Sequence, residues 1–259
     1  MAGEVTTAWV DGRSVITRAL ATSPLRLVLN KNRAPSAWVV TSTLGGGLVD
    51  GDRIALEARA LGGSALAVLT QASTKVYRGQ SAQRTVGHVE DGALLAILPD
   101  PVACFAGSRF EQETRVRLDD GGSTLILDAF TSGRAAHGDV WAMRSLASRV
   151  VIERDGRPAV WDATRLDEAE GSIAGRMGGF GAFGALFALG PRVAAVRDAI
   201  LATRPGRSAG VVIAPAPIGD DGAVLRLAAP SAEALARAAR DALGNLHEIL
   251  GDDPLSRRA

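Results

Sequence analysis

Three stretches of this sequence carry side chains that could do chemistry. The first is Gly45-Gly46-Gly47-Leu48-Val49-Asp50-Gly51-Asp52. Its glycines let the backbone take left-handed angles or pack closely. Asp50 and Asp52 are one residue apart, so in a strand they share a face. Such a pair can hold a divalent metal through oxygen, or serve as acid and base in hydrolysis. The plainer reading is a turn in which Asp50 caps backbone amides and Asp52 is solvated. The second stretch, Thr70-Gln71-Ala72-Ser73-Thr74-Lys75-Val76-Tyr77-Arg78, follows the apolar run 65–69 and holds the only tyrosine. Its hydroxyl, amide, ammonium and guanidinium groups can bind an anion or knit a loop. The third, Gly133-Arg134-Ala135-Ala136-His137-Gly138-Asp139-Val140-Trp141, comes after Asp128. Asp128 ends the apolar run Leu125, Ile126, Leu127, where a lone carboxylate is unfavourable unless paired, hydrated or metal-bound. Arg134 is one obvious partner.

The remaining reactive side chains favour structural roles. His88, His137 and His247 lie far apart with no ligand spacing. Cys104 is the single cysteine, so it makes no internal disulfide and belongs to no CxxC pair. Its setting before Phe105 reads as a buried thiol. The phosphate loop GxxxxGK[ST], HExxH, the GxSxG elbow and a GxGxxG opening a helix are all missing.

These stretches sit between strands. Ile54, Leu56, Ala58 and Ala60 alternate with Arg53, Glu57 and Arg59, the period of a half-buried strand. Gly62-Gly63 turns the chain, and 65–69 then reads as a strand buried on both sides. The unit recurs, with Thr85 to Glu90, Asp91-Gly92 and Leu94 to Leu98, then Phe110 to Leu118, Asp119 to Gly122 and Leu125 to Leu127. Gly63, Gly92 and Gly121 fall at a period of about 29 residues, in the range of stacked repeats. Each unit has an apolar face that stacking would bury. The expected fold is mainly β, with stacked β-hairpins in a superhelical or β-solenoid-like body. A hairpin from Leu146 to Leu166 should turn at Asp155-Gly156. After about residue 170 an αββα portion follows. Its helices start at Pro191 and after the N-cap Ser231, and its strands are Val211 to Ala214 and Val224 to Leu227. Leu235, Ala239, Ala242, Leu246 and Ile249 keep helical spacing up to Gly251, and the tail from Asp252 to Ala259 should fray.

Composition narrows the partners. The chain has 259 residues, with 29 basic against 28 acidic and a net charge of +1, so no strong field recruits nucleic acid or an anionic membrane. The most apolar window, Gly178 to Gly190, is shorter than the roughly 20 residues of a membrane span. No basic, apolar leader opens the sequence, and cysteine is nearly absent; both point to the cytoplasm.

Taken together the clusters resemble the UreD (also called UreH) family of urease accessory proteins. Ser23-Pro24-Leu25-Arg26 is similar to the family's opening stretch. Gly45 to Asp52 matches GGGLVxGD, and Thr70 to Arg78 matches TxQxxTKVYR. LPxPxxxFxGSR is matched by Leu98-Pro99-Asp100-Pro101 and by Phe105 to Arg109, and GRxxxGE from Gly133 to Asp139. The motifs keep the family order over residues 23 to 141. Asp139 departs from the family's Glu. The resemblance implies a single domain over 1–259, with a β-rich body to about 170 and a mixed α/β portion over about 171–251. It implies a scaffold rather than an enzyme, docking on apo-urease with UreF and, through it, the GTPase UreG. Nickel would be a transient cargo, with no tightly bound cofactor. Asp50, Asp52, Asp128 and Asp139 are the carboxylates expected to pass it, through an internal tunnel of the kind proposed for the family. Two other readings stand beside it: a β-rich carbohydrate hydrolase using Asp50 and Asp52, and an interaction module with no role for metal.

Overall fold

Repetition sets the architecture. The computed structural model describes residues 3–30, 34–244 and 246–255. In chain order the strands are β1 (Gly3–Val10), β2 (Arg13–Ala21), β3 (Leu25–Asn30), β4 (Ala37–Thr43), β5 (Arg53–Ala60), β6 (Ala65–Thr70), β7 (Lys75–Val76), β8 (Gly79–Val89), β9 (Leu94–Leu98), β10 (Val102–Cys104), β11 (Ser108–Leu118), β12 (Ser123–Thr131), β13 (Gly133–Arg134), β14 (Asp139–Val140), β15 (Ser145–Arg154), β16 (Arg157–Asp167), β17 (Ala182–Leu189), β18 (Gly206–Ser208), β19 (Val211–Ile218) and β20 (Gly222–Ala229). The α-helices are α1 (Ile173–Met177), α2 (Ala194–Ala202), α3 (Ala232–Ala242) and α4 (Leu246–Leu250). The first large sheet has the order β16-β15-β11-β8-β5-β1-β2, and the second has β18-β19-β20-β17-β12-β9-β6-β4-β3 with β7 and β10 attached.

Arg53 lies beside Ala82, and Ala82 beside Glu111, in the parallel run β5-β8-β11. Ala65 lies beside Leu94, and Leu94 beside Ser123, in the parallel run β6-β9-β12. Each step is 29 residues, so the stacked, solenoid-like body forms as expected. Within one unit the two strands do not pair with each other. The half-exposed strand joins the first sheet and the buried one joins the second, so they face each other across the core. The register extends one unit further back than the glycines show, since Ala37 of β4 lies beside Leu66.

The second sheet is covered on both sides, which explains its unbroken apolar strands. Leu66, Val68, Leu95 and Ile97 point into the core between the sheets. Ala67, Leu69, Leu94 and Ala96 point the other way, against Val196 and Ile200 of α2 and Leu235 and Ala239 of α3. The hairpin β15–β16 turns at Asp155 and Gly156, both with positive φ. Ser231 caps α3, its Oγ accepting from the Ala234 amide at 3.2 Å. The expected single C-terminal helix is broken between Ala242 and Leu246, where Gly244 weakens helix propensity. Gly251 follows α4 in a left-handed conformation. The tail is anchored further than expected: Leu255 packs into the helical core, and its carbonyl accepts from Arg240 at 3.0 Å. Residues 256–259 lie outside the described residues. Among the described residues no helix is long and apolar enough to cross a membrane.

Candidate functional site: a polar row inside the β body

The three chemical clusters stack in chain order, with the loop at Ala103 to Phe105 between the second and the third. The Leu48 amide donates to the Lys75 carbonyl at 2.7 Å, and the Tyr77 amide to the Leu48 carbonyl at 2.9 Å. One layer on, the Ala103 amide donates to the Thr74 carbonyl and the Phe105 amide to the Val76 carbonyl, both at 2.9 Å. Side chains continue the stack. A Cβ on Gly47 would lie 2.7 Å from Tyr77 Cε2, so only glycine lets the ring approach. Tyr77 meets Phe105 edge-on, with centroids 5.4 Å apart, and the Arg134 guanidinium lies 4.7 Å over the Phe105 ring. Arg134 in turn donates to Asp139 Oδ2, its Nε at 2.9 Å. Four sequence motifs thus form one column.

Most of the other singled-out residues shape this end. Asp50 Oδ1 accepts from the Gln80 amide at 2.7 Å, and Asp52 Oδ2 from the Val49 amide at 2.8 Å. Both carboxylates therefore cap turns, with Gly45, Gly46 and Gly51 in left-handed conformations around them. Thr70 Oγ1 accepts from the Asp100 amide at 2.8 Å, beside the buried Pro101. Gly133 packs against the Cys104 carbonyl, and Gly138 closes the short turn Ala135–His137. Gln71, Lys75, Arg78 and Arg109 are exposed. Cys104 is buried, and burial pushes its thiol up to about 12, as suits a structural cysteine. His137 and His247 are exposed, and His88 is on the outer face of the first sheet.

Asp128 differs from these carboxylates. Arg134 is not its partner. Asp128 lies within β12 and points between the sheets, whereas Arg134 lies past the strand's end and is held by Asp139. Asp128 Oδ1 accepts from Gln112 Nε2 at 2.6 Å, and Oδ2 accepts from Ser148 Oγ at 2.9 Å. Burial pushes its carboxyl up to about 6. The Ser148 bond opposes that rise, the Asp162 charge adds to it, and the Gln112 bond opposes it.

Around Asp128 the core between the sheets is polar. Gln83 of β8, Gln112 of β11, Ser148 of β15 and Thr164 of β16 are register partners. They form a row that crosses the strands along the stacking direction. A cavity of about 360 Å³ is lined by Gln83, Thr85, Gln112 and Thr114, and reaches the loops at Gly46, Gly47 and Lys75. A second cavity, of about 150 Å³, is lined by Asp128, Ser148, Asp162, Thr164 and Arg226. Arg226 Nη2 lies 2.7 Å from Asp162 Oδ2 at its rim. Sequence reasoning found Asp128, which faces this row from the second sheet, and missed every member of the row itself. The available signal was the recurrence of Gln and Thr one period apart, at Gln83/Thr85 and Gln112/Thr114. Among the described residues, no three His, Cys, Asp or Glu side chains gather as a closed metal site.

The family profile described as "UreD urease accessory protein" matches residues 2–259. The chain belongs to the UreD family. It is similar to "Urease accessory protein UreD" of Sorangium cellulosum (strain So ce56), with 48% identity over 260 residues, 99% of this chain and 83% of that protein. It is 40% identical to the UreD of Anaeromyxobacter sp. (strain Fw109-5) over 264 residues, 99% of this chain and 89% of that protein. The "Urease accessory protein D" of Oryza sativa subsp. indica is 35% identical over 205 residues, 76% of this chain and 67% of that protein. UreD similarity thus covers the C-terminal portion too, where the quoted motifs had stopped.

Proposed function

We propose that the chain is a non-catalytic scaffold of urease maturation, docking on apo-urease with UreF and UreG in the cytoplasm and letting nickel pass through its β body. The observation that carries this reading is the polar row and its two cavities inside an otherwise apolar core. Ni²⁺ accepts oxygen ligands but is held more tightly by imidazole and thiolate. Amides, hydroxyls and the Asp128 carboxylate therefore suit an ion that must leave again. Of the four carboxylates singled out in the sequence, Asp128 is the one that lines an interior cavity. Asp50 and Asp52 hold turns at the loop end, and Asp139 holds Arg134, so their part in passage is to keep the entrance in shape. Asp50 and Asp52 each accept a backbone amide with one oxygen, which supports turn-capping roles over the hydrolase reading.

The test is co-expression of the chain with UreF, UreG and apo-urease, followed by elemental analysis of the purified urease. Asp128→Ala should bind its partners normally and lower nickel content several-fold. Full nickel loading with Asp128→Ala would overturn the passage and leave the family assignment standing.

A further inference from the structure

The two cavities are separated by one hydrogen-bonded pair of side chains. Gln112 lines the larger cavity, and its amide donates to Asp128 Oδ1, which lines the smaller one. On its other side Asp128 is closed by Ser148. Gln112 lies between Gln83 and Ser148 in the row, so anything moving along the row meets its amide midway.

We propose that the Gln112 side-chain amide is a movable partition between the two cavities, displaced by a divalent cation on its way to Asp128. The inference rests on the passage reading above and adds the residue that regulates it. A primary amide carries two N–H donors and one acceptor oxygen on a single planar group. At rest an N–H faces the Asp128 carboxylate and satisfies it. A dication arriving from the larger cavity repels that N–H and attracts the amide oxygen. Rotation about the side chain's own torsions turns Oε1 toward the ion and frees Asp128 Oδ1 to receive it. When the ion moves on, the N–H returns. The partition therefore shields the half-buried carboxylate while no cation is present, and yields an oxygen ligand when one is. Such hard oxygen donors do not trap the ion as thiolate would.

Truncation and an apolar isostere should act in opposite directions, which a merely structural residue would not do. Gln112→Ala removes the partition and joins the cavities. Gln112→Leu fills the same space with a group that neither ligates nor hydrates a cation. The measurement is the initial rate at which apo-urease acquires nickel in the reconstituted complex, with thermal melting and partner binding recorded for each variant. We expect the Ala variant to load at least as fast as wild type and the Leu variant several-fold slower. Should Gln112→Leu melt early, Gln112→Met, an unbranched and adaptable replacement, takes its place. Wild-type loading by the apolar variant, or equal slowing by both, would overturn the partition. Asp128→Ala, run in parallel, separates the two ideas. If it slows loading while the Gln112 variants do not, only the partition falls; if it too is without effect, the passage falls.

Discussion

Asp128 sets a carboxylate between two sheets of mostly aliphatic side chains, and this has a measurable consequence. Its folded-state pKa, raised to about 6, lies above that of the unfolded chain. The folded protein therefore holds a proton over a range where the unfolded chain has released it, and stability from this group falls as pH rises from about 4 to 7. The groups facing it are Gln112 and Ser148 as donors, with Asp162 and its partner Arg226 nearby. Asp128→Asn should gain on wild type by about 1–3 kcal/mol between pH 4.5 and 7.5. Denaturant unfolding of both proteins at the two pH values checks this; a pH-independent difference would contradict it. Tyr77 makes a second residue-scale case. Its ring fills the space that Gly47 leaves and bears on Phe105, so Tyr77→Ala should cost about 2–4 kcal/mol. Melting temperature and soluble yield should fall together, and nickel delivery should fall only in proportion to the folded protein remaining. Asp50→Ala should lose a cap, about 0.5–2 kcal/mol by the same kind of melt.

At the scale of elements, the turns between the sheets hold the stack. Gly63, Gly92 and Gly121 all have positive φ, and Gly63 donates to the Asp91 carbonyl of the next turn. Arg192, just before α2, donates to the carbonyls of Gly63, Ser64 and Gly92 at 3.1–3.2 Å, so one guanidinium spans two turns. Arg192→Ala should destabilise the fold by about 1–3 kcal/mol, seen as a lower melting temperature with the same unfolding slope in denaturant. The turns were the legible part of the sequence, because left-handed corners demand glycine at a fixed interval. Strand pairing was less so. Local alternation says that β5 has two faces, but not that it pairs with β8 rather than with β6, since that choice depends on residues a full period away. The row at Gln83 and Gln112 stayed hidden for a related reason. In β8 and β11 polar residues occupy both faces, so period-two alternation cannot tell which face is inside. The Asp128–Arg134 pairing failed because nearness in sequence is not nearness along a strand. Each residue in a strand advances the chain by about 3.3 Å, so six residues end far from their start.

At the scale of the molecule, the stack ends in open edges. β2 and β16 bound the first sheet, and β3 and β18 the second. Trp9, Leu20, Val28, Leu29 and Trp161 are exposed on or beside three of them. Unpaired strand edges with apolar side chains favour association. The isolated chain should therefore be poorly soluble and become soluble when co-expressed with UreF, across an interface of at least about 1,200 Å². Size-exclusion chromatography of the co-expressed pair at micromolar concentration checks this, and separate elution would count against it.

The constant 29-residue step also makes the body a ruler. Parallel neighbours in a sheet are about 4.8 Å apart, so each coil of the solenoid adds that much to its length and to the interior row. Within the two sheets each coil pairs only with its neighbours, so one more can repeat the same pairing. Duplicating residues 65–93 should therefore yield a folded protein whose two ends stand about 4.8 Å further apart. Whatever docks at those ends would be held at a spacing set by counting coils.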